Sequence, residues 1–118
     1  MSKNYLEITK DISGNLKAFR QSQSEVMQAF SSLAAAATKD GALSKKTKEL
    51  IALALGVAAR CDGCIGFHTK ALVDLGATQP ELEETLAMAV YMGGGPSLMY
   101  AADALASFAQ FEQQKKAA

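Results

Sequence analysis

From Leu16 onward the apolar residues of this chain return every three or four positions, and no segment alternates with period two over β-branched residues. At 3.6 residues per turn such spacing lines one side of a helix, whereas a strand needs every second position. Leu16, Phe19, Val26, Met27, Phe30, Leu33, Ala34 and Ala37 form one such stripe. It predicts a helix of about six turns, after a short N-terminal piece that ends near Gly14. "TKDGALS" closes that helix, with Gly41 as its expected C-cap. Ser44 is the expected N-cap of the next, which runs through Glu49 to about Ala59. Leu50–Ala59 has no polar residue on any side, so this helix is expected to be buried all round.

A third helix carries "ARCDGCIGFHTKA", Ala59 to Ala71. Cys61, Cys64, Ile65, His68, Ala71, Leu72 and Leu75 fall on one stripe, with Asp62, Thr69, Lys70 and Asp74 off it. Gly76 stops the helix. Thr78 caps the fourth, with Pro80 in its first turn and Glu81 completing a capping box. Its inner face is Leu82, Leu86, Ala89 and Val90. "YMGGGP" is a break, and Pro96 opens a last helix to about Gln113, before a tail expected to fray. There is no linker or low-complexity segment. The fold class expected is all-α, a single-domain helical bundle over residues 1–118.

The charge balance removes some function classes. Twelve Lys and Arg residues against twelve Asp and Glu leave no net charge, so the basic excess that nucleic acid or an anionic membrane demands is missing. The N-terminus has no secretory h-region, and the longest apolar run, Leu50–Ala59, is too short to span a bilayer. A cytoplasmic location is therefore expected, where thiols stay reduced. Charged residues at 20% are few enough to suggest that part of the surface is covered by another subunit.

Both cysteines and the one histidine fall between Cys61 and His68, and three readings of that cluster stand open. A permanent staple is sterically accessible, because residues three apart on a helix have Cβ atoms about 5–6 Å apart. Closing so short a loop removes about 2 kcal/mol of chain entropy, against about 3 for fifteen residues, which makes a staple a poor use of the pair. A metal site would take Cys61, Cys64 and His68 with Glu49 as a fourth ligand. Structural zinc usually draws two ligand pairs from separate segments, and no second pair exists here. A redox pair makes fuller use of the spacing. Both thiols lie in the first turn, where free N–H groups and the helix dipole favour thiolate, and His68 shares their face as a proton acceptor.

Glu49 precedes the all-apolar run and reads equally as a buried carboxylate needing a partner or as a first-turn dipole complement. Gly63 and Gly66 each cost a helix about 1 kcal/mol relative to alanine. Their bare backbone would serve either substrate access to the thiols or the close approach of another helix.

Glu49, Cys61, Cys64 and His68 spell E-x11-C-x2-C-x3-H, which resembles the signature of the AhpD-like alkylhydroperoxidases within the carboxymuconolactone decarboxylase family. "GALSKKTKELIALALGVAARCDGCIGFHTKALVDLGAT" resembles the family's central two helices, and "ELEETLAMAVYMGGGPSLMYAADAL" its following segment. The resemblance implies an AhpD-like fold of about six helices and obligate association, often a hexamer built as a trimer of dimers. It implies an antioxidant, peroxiredoxin-type activity with no cofactor or metal. One cysteine reduces a small hydroperoxide, the second condenses with the resulting sulfenic acid, and an external thiol or dithiol reopens the disulfide. Carried over, Cys64 is the attacking thiol, Cys61 its resolving partner, and Glu49 with His68 the proton relay.

This chain departs from the pattern twice. The best-known peroxidase of the family has a further histidine inside its Cys-x-x-Cys, where this chain has Gly63. That departure points to lower peroxidase activity or a different substrate. Full-length AhpD holds two copies of the helical unit and this chain has length for one, so assembly is expected to supply the remainder. Two other functions compete with a thiol peroxidase or disulfide reductase. One is a cysteine-independent acid–base enzyme of the decarboxylase type, with His68 and Glu49 moving protons. The other is a non-enzymatic redox-sensing or metal-binding oligomer.

Overall fold

In the computed structural model, which describes residues 3–118, seven helical segments follow one another and no strand occurs among the described residues. They are α1 (Tyr5–Asn15), α2 (Lys17–Ser22), α3 (Ser24–Ala37), α4 (Lys45–Ala58), α5 (Asp62–Asp74), α6 (Gln79–Gly93) and α7 (Gly95–Ala117). Local chemistry explains most of the boundaries. Ser44 Oγ accepts the Thr47 N–H at 3.1 Å and starts α4. Thr78 and Glu81 close the expected capping box on α6, with Pro80 in its first turn. Gly76, at φ +75°, ends α5 by turning the Ala77 N–H back to the Leu72 carbonyl at 2.9 Å.

Three boundaries differ from expectation. The stripe from Leu16 to Ala37 is cut at Gln23, whose φ −119° and ψ 44° are not helical, so α2 and α3 are separate segments. Gly41 does not cap α3. Thr38 does so in a right-handed conformation, its hydroxyl donating to the Ala34 carbonyl at 2.8 Å. The last helix continues past Gln113 to Ala117. There Lys115 Nζ reaches the Val73 carbonyl at 3.4 Å, placing a cation at the C-terminal end of α5.

α5 is the central helix, touching α1, α4 and α7, while α4 and α6 close the bundle against α7. Leu53, Val57, Ile65, Leu72, Leu82, Leu86, Phe108 and Phe111 fill the space between them, joined by Tyr5 from α1. Thr69 is not off the buried face of α5. It is fully buried, and its hydroxyl lies 2.6 Å from that of Ser107 on α7. The central helix is thus covered on two sides, and one apolar stripe describes only one of them.

α4 is not buried all round. Leu53, Gly56 and Val57 face the core, whereas Ile51 and Leu55, one turn apart, point outward. α3 goes further. It touches α2 alone among the helices and buries none of its side chains, leaving Phe30 and Leu33 each 63% exposed. Its stripe is real, but nothing among the described residues covers it.

Candidate functional site

The site is built where α4 turns into α5. Arg60 stands in the left-handed region at φ 57°, which few L-residues adopt. That one residue lets the Arg60 N–H return to the Val57 carbonyl at 3.1 Å and the Cys61 N–H to the Gly56 carbonyl at 3.0 Å. These are the two bonds of a Schellman motif. The next residue already begins α5, because Cys61 is its N-cap and Cys61 Sγ accepts the Cys64 N–H at 3.1 Å. The two sulfurs are joined as a disulfide, with the Cα atoms 5.2 Å apart.

The tight turn runs α5 antiparallel beside α4, and this brings Glu49 to His68. Glu49 Oε2 lies 2.6 Å from His68 Nδ1, with Glu49 buried and the His68 side chain one-third exposed at 33%. Glu49 therefore takes the buried-carboxylate role rather than that of a first-turn charge. An ionised Glu49 would accept from Nδ1–H, and a neutral ring in that tautomer would present Nε2 as an acceptor. His68 follows Cys64 by four residues, so its ring stands one turn along the same face, with Cβ atoms about 6 Å apart. Cys64 and His68 thus both stand where α5 meets α4, His68 against Glu49 and Cys64 against Gly56. Among the described residues no group of three His, Cys, Asp or Glu side chains is placed to hold a metal ion.

The glycines now acquire separate meanings. A Cβ on Gly63 would lie 2.9 Å from Ile12 Cδ1, and one on Gly66 would lie 2.6 Å from Thr9 Cγ2. Both bare positions face α1 and let it approach closely. Gly56 was missed in the sequence. A Cβ there would lie 3.0 Å from the Cβ of Cys64, so this glycine lets the second cysteine seat against α4. The available signal was a glycine inside the apolar run Leu50–Ala59, where it costs about 1 kcal/mol unless something must come close.

Residues 24–107 match the model of the carboxymuconolactone decarboxylase family. The chain belongs to that family. Glu49, Cys61, Cys64 and His68 lie inside the matched span, and α1 lies before it. A carboxymuconolactone decarboxylase family protein of Legionella pneumophila, in its apo crystal structure, superposes with a TM-score of 0.90 at 66% identity, over 92% of this chain and 96% of that one. A Thermotoga maritima family member, given a suggested part in an antioxidative response, superposes at 0.71 with 30% identity, over 78% and 95% of the two chains. An uncharacterized Cupriavidus necator protein is 46% identical over 98 residues, which is 83% of this chain and 87% of that protein. These likenesses bear out the AhpD-like, all-α fold that the motif implied.

Proposed function

We propose that this carboxymuconolactone decarboxylase family protein is a thiol-dependent hydroperoxide reductase. The observation that carries the reading is the 2.6 Å contact between Glu49 and His68, one helical turn from the Cys61–Cys64 disulfide. Glu49 fixes the imidazole with Nε2 free, and Nε2 takes the Cys64 proton. The Cys64 thiolate attacks the terminal oxygen of a small hydroperoxide, ROOH. The O–O bond breaks, ROH leaves with the relayed proton, and Cys64 becomes a sulfenic acid. The Cys61 thiol then displaces water from that sulfur and forms the disulfide. An external dithiol returns two electrons and two protons and is itself oxidised to a disulfide.

The N-cap position of Cys61 suits the return half of the cycle. When the external thiol attacks Cys64 Sγ, the leaving Cys61 thiolate is received by the Cys64 N–H and the N-terminal end of α5. The same dithiol chemistry makes a disulfide reductase the nearest variant of this activity. The suggested antioxidative part of the Thermotoga relative agrees with this reading. No helix among the described residues is long and apolar enough to cross a membrane, and we place the reaction in the cytoplasm, where reductant is at hand. The test is a thiol titration. Reduced protein mixed with an organic hydroperoxide is expected to lose two thiols per chain and gain the Cys61–Cys64 disulfide. An unchanged thiol titre would overturn the reading.

We also propose that the working unit is a homo-oligomer, a hexamer arranged as a trimer of dimers. The outward faces of α3 and α4, together with Met88, Tyr91 and Met92 of α6, expose more large apolar surface than a free monomer tolerates well. Sedimentation at micromolar concentration is expected to give a multiple of the chain mass of 12.4 kDa. A stable monomer would contradict it.

A further inference from the structure

The redox motif contains one charged side chain that the reaction above does not use, Asp62. It follows Cys61 directly, and at about 100° per residue it stands about 200° around the α5 axis from Cys64. An uncompensated carboxylate beside Cys61 in the motif opposes thiol ionisation. Asp62 is compensated. Its Oδ1 accepts from Lys3 Nζ at 3.0 Å and from the Tyr5 hydroxyl at 2.8 Å. Lys3 Nζ also donates to Asp103 Oδ2 at 2.9 Å and lies 4.9 Å from the centroid of the Tyr100 ring.

The lysine is delivered there by a clasped strap. The Gln110 amide on α7 holds it from both sides, with Oε1 accepting the Tyr5 N–H at 2.7 Å and Nε2 donating to the Lys3 carbonyl at 2.9 Å. The Tyr5 ring is fully buried in the core. Hydrogen bonds to Asp103 and Asp62 hold the Lys3 ammonium well above its ordinary pKa, and burial followed by the bond to Asp62 does the same for the Tyr5 hydroxyl. Both donors therefore stay protonated wherever the thiols titrate. The Gln110 clasp and the Tyr5 ring already anchor residues 3–5. Neither of those requires a charge at position 3 or at position 62.

We propose that Lys3 is a positioning residue for the redox pair, holding and neutralising Asp62 so that a carboxylate stands within the Cys-x-x-Cys without opposing the reduced, ionised state of its thiols. This rests on reading Cys61 and Cys64 as a dithiol that cycles with its disulfide. Reduction takes two electrons and two protons from a dithiol such as dithiothreitol, which closes to its own cyclic disulfide. One of the freed cysteines then loses its proton. Lys3 acts on that last state, and Tyr5 assists by fixing the carboxylate.

The experiment uses the full chain as wild type, Lys3→Met, Asp62→Asn and the double variant. Each is equilibrated in buffers of reduced and oxidised dithiothreitol, and its thiolate ultraviolet absorbance is followed against pH. At a pH above the thiol titration, Lys3→Met is expected to move the equilibrium about tenfold toward the disulfide, which is about 30 mV. It is also expected to raise the thiol titration by about one pH unit. In the Asp62→Asn background the same lysine change is expected to do neither. Equal shifts in both backgrounds, or no shift in a folded Lys3→Met protein, would overturn the proposal. Should Lys3→Met unfold, Tyr5→Phe keeps the ring and removes one donor to Asp62, and it must shift both readouts in the same direction. A wild type inert to hydroperoxide but responsive to Lys3→Met in dithiothreitol would sink the peroxidase reading and keep this one. A pair that forms no reversible disulfide would sink both.

Discussion

Gly56 of α4 and Cys64 of α5 approach so closely that a Cβ on the glycine would stand 3.0 Å from the cysteine Cβ and 3.8 Å from its carbonyl carbon. Since the obstructing atoms are the root of a side chain and backbone, relief requires moving α5 itself. Gly56→Ala gains about 1 kcal/mol of helix propensity and meets overpacking of about 1–3 kcal/mol. Net destabilisation in urea is expected, together with slower disulfide formation because the second cysteine is displaced. A variant more stable by the full propensity gain would show that the seam is looser than this.

The two glycines facing α1 are expected to respond differently to alanine. At position 63 the new Cβ meets the terminal methyl of Ile12, which can turn aside, so Gly63→Ala should be close to neutral or stabilising by up to about 1 kcal/mol. At position 66 it meets Thr9 Cγ2 at 2.6 Å, and the Thr9 hydroxyl is tied to the Tyr5 carbonyl at 2.9 Å. Gly66→Ala should lose about 1–3 kcal/mol. Equal effects in thermal or urea unfolding would contradict the placement of α1.

Arg60 holds a left-handed backbone that costs an L-residue about 1 kcal/mol and glycine almost nothing. Arg60→Gly should raise the free energy of unfolding by about that amount in urea titration. A loss of stability would mean that the arginine side chain contributes more than its backbone strain removes.

The parts of this molecule that were legible in the sequence are those set by neighbours along the chain. Thr78, Pro80 and Glu81 announce α6 and Gly76 ends α5, because capping and turn chemistry act within a few residues. What was illegible depends on contacts between distant segments. Thr69 looks solvent-facing until Ser107 is known to lie 2.6 Å from it. The even choice over Glu49 is decided by His68, nineteen residues away. Nothing local to Lys3 tells of Asp103, a hundred residues on. The unbroken apolar run of α4 suggested burial on every side, yet the chain alone covers only part of it.

The outward stripe of α3 gives a clean handle on assembly. Phe30 and Leu33 are largely exposed among the described residues, so Phe30→Asp should leave the fold of the isolated chain within about 0.5 kcal/mol. Sedimentation should nevertheless show a smaller species than the wild type, with helical content kept by circular dichroism. An unchanged sedimentation profile would remove α3 from the interface.

The most direct measurement is the stopped-flow rate at which reduced protein forms the Cys61–Cys64 disulfide with an organic hydroperoxide, compared between wild type and Glu49→Gln. The amide keeps the size of Glu49 and an oxygen for His68 Nδ1, and removes the negative charge on which the proposed relay depends. A fall of about 10²-fold at neutral pH, with fully reducible thiols in both proteins, is the predicted result. Equal rates in the two proteins, or no peroxide-dependent disulfide in the wild type, would contradict it.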